Sequence, residues 1–197
     1  PLMSPLDIIS EINQQFEECI LVTDVGQHQM LVSQYADITE KKRLVMSGGL
    51  GTMGYGLPGA IGVKIGNPDV PVISISGDGG MQMNIQELMT AVENGLPVKI
   101  LILNNRHLGM VRQWQELFYE HNYSFTCMEE GQPDFVKLAE AYGAEGYRIS
   151  TIGELDNVLP VALSSPSPAI IDVRVAKEEN VYPMVPAGAA LDEMLLV

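Results

Sequence analysis

The sequence predicts an α/β domain of three layers, with helices on both faces of a mostly parallel central sheet. Three observations carry this. Apolar runs recur at Ile20 to Thr23, Val70 to Ile75 and Val98 to Leu103, with a further strand at Ala169 to Val175, and short apolar runs of this length read as buried strands. Stretches with helical apolar spacing separate them. Residues 70–105 read as strand, amphipathic helix and strand, a length that fits a right-handed βαβ crossover and so makes its two strands parallel. At 197 residues the chain suits one full α/β domain and is short for two. No internal repeat or low-complexity linker divides it, so residues 1–197 are read as a single domain.

The elements follow in order. Ser4 as N-cap, Pro5 at the first helical position and apolar Leu6, Ile8, Ile9, Ile12 and Phe16 predict a helix from Pro5 to about Phe16. The strand Ile20 to Thr23 ends in Asp24-Val25-Gly26-Gln27-His28, where Gly26 permits a tight turn and Gln27 and His28 open a helix towards Tyr35. Arg43 to Met46 is a short strand. Five glycines in the ten residues Ser47 to Gly56 follow; they form no dinucleotide fingerprint, because the acidic ribose partner and the helix-start context are missing. They read instead as a loop lying close to a flat ring, before a small-residue helix from Leu57 to Ile65.

The strand Val70 to Ile75 runs into Gly77-Asp78-Gly79-Gly80, with a helix expected after Gly80, and the strand Val98 to Leu103 ends in Asn104-Asn105. Beyond it, Met110, Val111, Trp114, Leu117 and Phe118 share one helical face, which on spacing alone reads as a core stripe. Glu120 to Gln132 is polar and irregular and reads as a mobile loop. A helix from Pro133-Asp134 to Tyr142, broken by Gly143, precedes a short strand from Gly146 to Ile149. Glu154 to Leu163 is helical, with a kink or stop expected at Pro160, and Ala169 to Val175 is the last strand.

A net charge of −14 argues against nucleic acid and anionic membranes as partners. Cys19 and Cys127 stand in no metal-binding or redox spacing, which fits a reduced, cytoplasmic setting. Within the sequence there is no charged-then-apolar leader and no apolar run approaching membrane-spanning length. The start at Pro1 without Met is compatible with a processed terminus or with a piece of something longer.

Chemistry gathers at the strand ends. Parallel strands deliver their carboxyl ends to one edge, where open α/β sheets bind ligands. Asp78 offers a carboxylate there and Asn105 an amide oxygen, both hard donors of the kind Mg²⁺ selects and too few to fill its octahedral shell. Phosphate oxygens would complete the shell, and the glycines would let backbone N–H groups approach the anion. Taken alone, Gly-Asp-Gly is an ordinary strand-to-helix turn with Asp78 as cap, His28 a packed histidine and Met53 a gap-filling methionine.

The combined pattern resembles the thiamine diphosphate enzymes, in which Gly-Asp-Gly is followed some 25 residues later by Asn-Asn at the end of an apolar strand. The resemblance implies Mg²⁺ held by Asp78, Asn105 and the main-chain oxygen of His107. It implies cofactor contacts from Gly79, Gly80, Leu108, Gly109 and Met110, with Gly26, Gln27 and His28 donating to the diphosphate. Gly51-Thr52-Met53-Gly54-Tyr55-Gly56, the run from Asn104 to Tyr119 and the carboxyl end around Tyr182 to Met194 are similar to the acetohydroxyacid (acetolactate) synthases. There the Met53 equivalent wedges between the cofactor's rings and the Gly51 carbonyl accepts from its amine. The Trp114 equivalent, with Met110 and Val111 beside it, narrows the acceptor pocket in favour of 2-ketobutyrate.

One departure is that Gly80 stands where Ala or a small hydroxyl residue is common. The activating Glu of the family is missing too, since Glu87 and Glu93 fall on the crossover helix. The resemblance therefore implies the carboxyl-terminal diphosphate-binding domain of a catalytic subunit, inactive alone. A pyrimidine-binding domain from a second subunit of a dimer or tetramer, an FAD-binding middle domain and an optional regulatory subunit would lie outside this chain. The implied reaction decarboxylates pyruvate and joins the two-carbon unit to a second 2-ketoacid, giving branched-chain amino acid precursors. Other thiamine enzymes (a pyruvate oxidase, glyoxylate carboligase or 2-ketoacid decarboxylase) and a non-thiamine nucleotide-binding regulatory module are the alternatives.

Overall fold

The computed structural model describes residues 2–196. Its centre is a six-stranded sheet made of β1 (Cys19–Thr23), β2 (Lys42–Met46), β3 (Val72–Gly77), β4 (Lys99–Asn104), β5 (Glu145–Ile149) and β6 (Ala169–Arg174), in the order β2-β1-β3-β4-β6-β5. All the strand pairs are parallel, where the sequence predicts a mostly parallel sheet. Every residue of β1 and β4 is buried, as strands covered on both sides require.

The helices form the outer layers. On one face α1 (Pro5–Gln15), α2 (Gln27–Tyr35) and α8 (Ile152–Ser164) pack Ile8, Ile12, Leu31, Val32, Leu155 and Leu159 against Leu21, Ile73, Leu101 and Ile171. On the other, α3 (Gly56–Gly66), α5 (Leu88–Glu93) and α7 (Phe135–Tyr142) pack Leu57, Ala60, Leu88, Ala91 and Phe135 against Ile20, Val72, Ile100 and Ile170. Ser4 caps α1 as expected, accepting from Leu6 N, and the structure adds a reciprocal bond in which the Asp7 carboxylate accepts from Ser4 N. Gly143 ends α7 at φ +81°, a conformation that favours glycine.

Four local expectations change. The helix α1 stops at Gln15, with Phe16 its C-cap. Pro160 does not end α8, which continues to Ser164; Pro160 faces solvent while Leu155, Leu159 and Ala162 hold both halves to the sheet. The helix after β3 begins at Asp78 itself, as α4 (Asp78–Met83). The crossover is broken at Asn84 (φ −132°) into α4, a single 3₁₀ turn (Ile85–Glu87) and α5, and the Asn84 side chain donates to Gly54 O at 2.8 Å. Cys19 is buried, Cys127 exposed, and both are free. No helix among the described residues is long and apolar enough to cross a membrane.

Candidate functional site

The chain leaves β1 towards β2 on one side and leaves β3 towards β4 on the other. That reversal opens a crevice between the carboxyl ends of β1 and β3, the place where doubly wound sheets bind ligands. A cleft lies there, lined by Gly26, Gln27 and His28 after β1, by Met53, by Gly77 to Gly80 after β3, and by Asn105 and His107 to Val111 after β4. Segments separated by up to about eighty residues thus meet at one edge. Two predicted residues stand apart from it. Gly51 is exposed on the rim in a left-handed conformation (φ +64°), and Trp114 lines an adjoining groove with Met110 and Val111.

Asp78 is almost fully buried and forms no ion pair among the described residues. Burial pushes its carboxyl up to about 6, against the hydrogen bonds it accepts from Gln132 Nε2 (2.7 Å) and Gly79 N (3.0 Å). A buried carboxylate without a cation is stabilised by one. Asn105 follows β4 in a tight turn whose side-chain oxygen accepts from His107 N at 2.9 Å, with Arg106 between them at φ +58°. Residues 126–128 clamp this turn through Leu108 N to Thr126 O (2.9 Å) and Met128 N to Arg106 O (2.8 Å). No group of three His, Cys, Asp or Glu side chains among the described residues could hold a metal. One carboxylate, an amide oxygen and a main-chain oxygen instead suit a hard cation that takes its remaining ligands from phosphate and water.

His28 is buried, and its Nε2 has no hydrogen-bond partner in the protein. Burial lowers its pKa to about 4 despite the nearby Asp24 carboxylate, so the ring is neutral at physiological pH. An unpartnered ring nitrogen at the cleft wall fits a phosphate oxygen as partner. Gln27 is arranged otherwise. Its Nε2 donates to Gln113 Oε1 (2.9 Å) and to Glu179 O (3.0 Å), so both of its N–H bonds are committed to tying α6 (Gly109–Phe118) and the carboxyl-terminal segment to α2. Only its backbone N–H remains for an anion. Gly109 leaves no room for a side chain, since a Cβ there would lie 2.8 Å from Asn105 Nδ2.

The helix α6 overturns the reading of its apolar stripe as core. Val111, Trp114 and Phe118 are exposed, whereas Arg112 and Gln113 are buried. Gln113 exchanges two hydrogen bonds with the Val181 backbone, and Arg112 reaches Glu116 and Asn180. The polar side of α6 therefore packs inwards, and Trp114, edge-on to Phe118 at 5.4 Å, borders the open groove.

Sequence reasoning missed Asp24, Asn104 and Gln132. The Asp24 carboxylate accepts from Gly54 N (3.1 Å), Gly56 N (2.9 Å) and Val25 N (2.7 Å), fixing the loop that carries Met53. It also answers the departure at residue 80, because a Cβ on Gly80 would collide with Asp24 Oδ1 and lie 2.8 Å from Cγ. Position in the fold was the available signal for Asp24, the first polar residue after a buried strand.

The model of the thiamine pyrophosphate enzyme family, C-terminal TPP-binding domain, matches residues 24–173. The chain belongs to this family. Among curated relatives it is 47% identical over 98% of its length to an acetolactate synthase large subunit of Cyanidium caldarium, covering 33% of that protein. It is 42% identical over 98% to the acetolactate synthase isozyme 2 large subunit of Escherichia coli, covering 35%. To the mitochondrial catalytic subunit of Saccharomyces cerevisiae it is 48% identical over 93%, covering 26%. The chain thus spans about a third of the length of these relatives. Among solved structures, a thiamine diphosphate-dependent 4-hydroxybenzoylformate decarboxylase of Rhodococcus jostii superposes with a TM-score of 0.82 at 26% identity, covering 91% of this chain and 34% of that one. In this TPP-binding domain the glycines of residues 77–80 and the oxygens of Asp78 and Asn105 lie at the switch point of the sheet.

Proposed function

We propose that this chain is the diphosphate-binding domain of an acetolactate synthase catalytic subunit. The observation that carries the reading is the 42–48% identity to acetolactate synthase subunits across nearly the whole chain. Asp78, Asn105 and the main-chain oxygen of His107 would hold Mg²⁺, and His28, the Gln27 backbone and the N–H groups of Gly79 and Gly80 would face the diphosphate. Gly26, Leu108 and Gly109 would shape its seat. Met53 would support the bent cofactor, with Gly51 O at the rim, and Met110, Val111 and Trp114 would border the acceptor 2-ketoacid. Thiamine diphosphate, when bound, supplies the electron sink for carbon–carbon bond cleavage and formation.

This chain's own residues bind, orient and exclude water. The neutral His28 can donate to phosphate without adding charge. The remaining parts are expected elsewhere: an activating Glu on a pyrimidine-binding domain of a second subunit, FAD on a middle domain, and in some assemblies a regulatory subunit. The whole enzyme would work in the cytoplasm, supplying acetolactate or acetohydroxybutyrate for valine, leucine and isoleucine.

Product analysis of the full-length protein given pyruvate, thiamine diphosphate and Mg²⁺ tests the assignment. Acetolactate as main product is expected. Acetaldehyde or acetyl phosphate instead would place the chain with other thiamine enzymes.

A further inference from the structure

A cation-binding carboxylate works only if it is held in one orientation, and for Asp78 the strand-to-helix turn supplies only part of that restraint. Gly79 N donates to Oδ1 at 3.0 Å. The other oxygen, Oδ2, accepts from the side-chain amide of Gln132 at 2.7 Å, across 54 residues of chain.

The polarity of the Gln132 amide is itself fixed. Its Oε1 accepts from Asn104 Nδ2 at 2.9 Å and from Arg174 Nη1 at 3.2 Å. Turning the amide over would bring oxygen against the Asp78 carboxylate and face two donors with a third. Asn104 and Arg174 are held in turn by the fully buried Asp172, whose oxygens lie 2.7 Å from Asn104 Nδ2 and 3.1 Å from Arg174. A polar chain therefore runs from Asp172 on β6, through Asn104 at the end of β4 and Gln132 in the connecting segment, to Asp78 after β3. Each Asp78 oxygen receives one hydrogen bond and keeps lone-pair capacity for a cation.

We propose that Gln132 is a positioning residue, holding the Asp78 carboxylate in the orientation that receives the divalent cation of the bound diphosphate. The inference rests on the thiamine diphosphate reading of the site. Such outer partners commonly change metal affinity by 10–100-fold when removed.

The test uses the full-length polypeptide with Mn²⁺ as probe, titrated by electron paramagnetic resonance in the presence of thiamine diphosphate. Gln132→Met keeps the length and loses the donor. About a tenfold or greater rise in the Mn²⁺ Kd is expected, with the metal-free Tm within a few degrees of wild type. A purely structural role would instead lower the Tm and leave the Kd of the folded fraction alone. An unchanged Kd in folded Gln132→Met overturns the proposal. Should that variant fail to fold, Gln132→Glu, which keeps the volume and an acceptor for Arg174, is expected to lose at least as much, and unchanged affinity there overturns it equally. Absence of Mn²⁺ binding by wild type defeats the thiamine reading instead. The metal-free crystal structure of Gln132→Met then decides, because an Asp78 carboxylate in its unaltered rotamer overturns the positioning role.

Discussion

The Asp24 carboxylate occupies the space that any side chain at residue 80 would need. A Cβ built on Gly80 lies 2.8 Å from Asp24 Cγ, and the carboxylate cannot withdraw while it holds Gly54 N at 3.1 Å and Gly56 N at 2.9 Å. Two glycine-rich segments, one after β3 and one after β2, are thus fitted around one anion.

Gly80→Ala is expected to destabilise the protein by about 1–3 kcal/mol, the usual cost of overpacking. In an Asp24→Ala background the cost of the same substitution should shrink by more than about 0.5 kcal/mol, because the obstacle is gone. Urea denaturation of the four proteins measures the coupling, and strict additivity would refute the fit.

Asp78→Asn removes a buried charge that has no ion-pair partner among the described residues. The metal-free Tm should change by a few degrees at most, since relief of the buried charge offsets the hydrogen bond that the new amide N–H forfeits at Gln132, while Mg²⁺-dependent thiamine diphosphate binding is lost. Calorimetry with and without Mg²⁺, on the full-length polypeptide, reads both; retained Mg²⁺-dependent binding would remove Asp78 from the cation site.

His28 links stability to pH. Burial lowers its folded pKa to about 4, below the ordinary value near 6.5, and Asp24 only partly opposes this. The unfolded chain then binds more protons, so stability from this group is complete above pH 6.5 and declines as pH falls towards 4. His28→Gln should flatten the acid limb of a Tm-against-pH curve between those values. An unaltered slope would mean that the ring titrates normally.

Trp114 is 39% exposed and belongs to neither hydrophobic core cluster. Trp114→Leu should therefore shift the Tm by a few degrees at most. If the side chain borders the acceptor, the ratio of acetohydroxybutyrate to acetolactate formed from mixed 2-ketobutyrate and pyruvate should fall severalfold. Chromatographic product ratios decide this.

The layered fold was legible because parallel strands buried on both faces write continuous apolar runs, as at Val98 to Leu103. The Gly77 to Gly80 and Asn105 strand ends were legible because their polarity interrupts such runs abruptly. Asp24 and Gln132 were not, since each acts across 30 or more residues on partners that only the sheet order brings near. The stripe on α6 misled because periodicity reports which residues share a face and not which face is covered. Arg112 and Gln113 turn inwards to satisfy the backbone and side chains of residues 180–181, an interaction with no local signature. Pro160 does not stop its helix, because Leu155, Leu159 and Ala162 hold the turns on both sides of it to the sheet, and that anchoring outweighs the hydrogen bond the proline forfeits.

The strand order has a kinetic consequence. Residues 24–28 and 77–80 face each other only once β1 and β3 have paired, and that pairing closes a loop of about fifty residues through β2 and α3. Contacts between neighbours in sequence form early, and such distant ones form late. Only the pairing of β4 with β6 spans more, about seventy residues from Lys99 to Ala169, and a chain in which just the sequence-neighbouring pairs β1–β2, β3–β4 and β5–β6 have assembled still has no cleft. Capacity to bind a diphosphate therefore waits on long-range closure, and a ligand spanning the β1–β3 seam would select molecules in which that closure has been made.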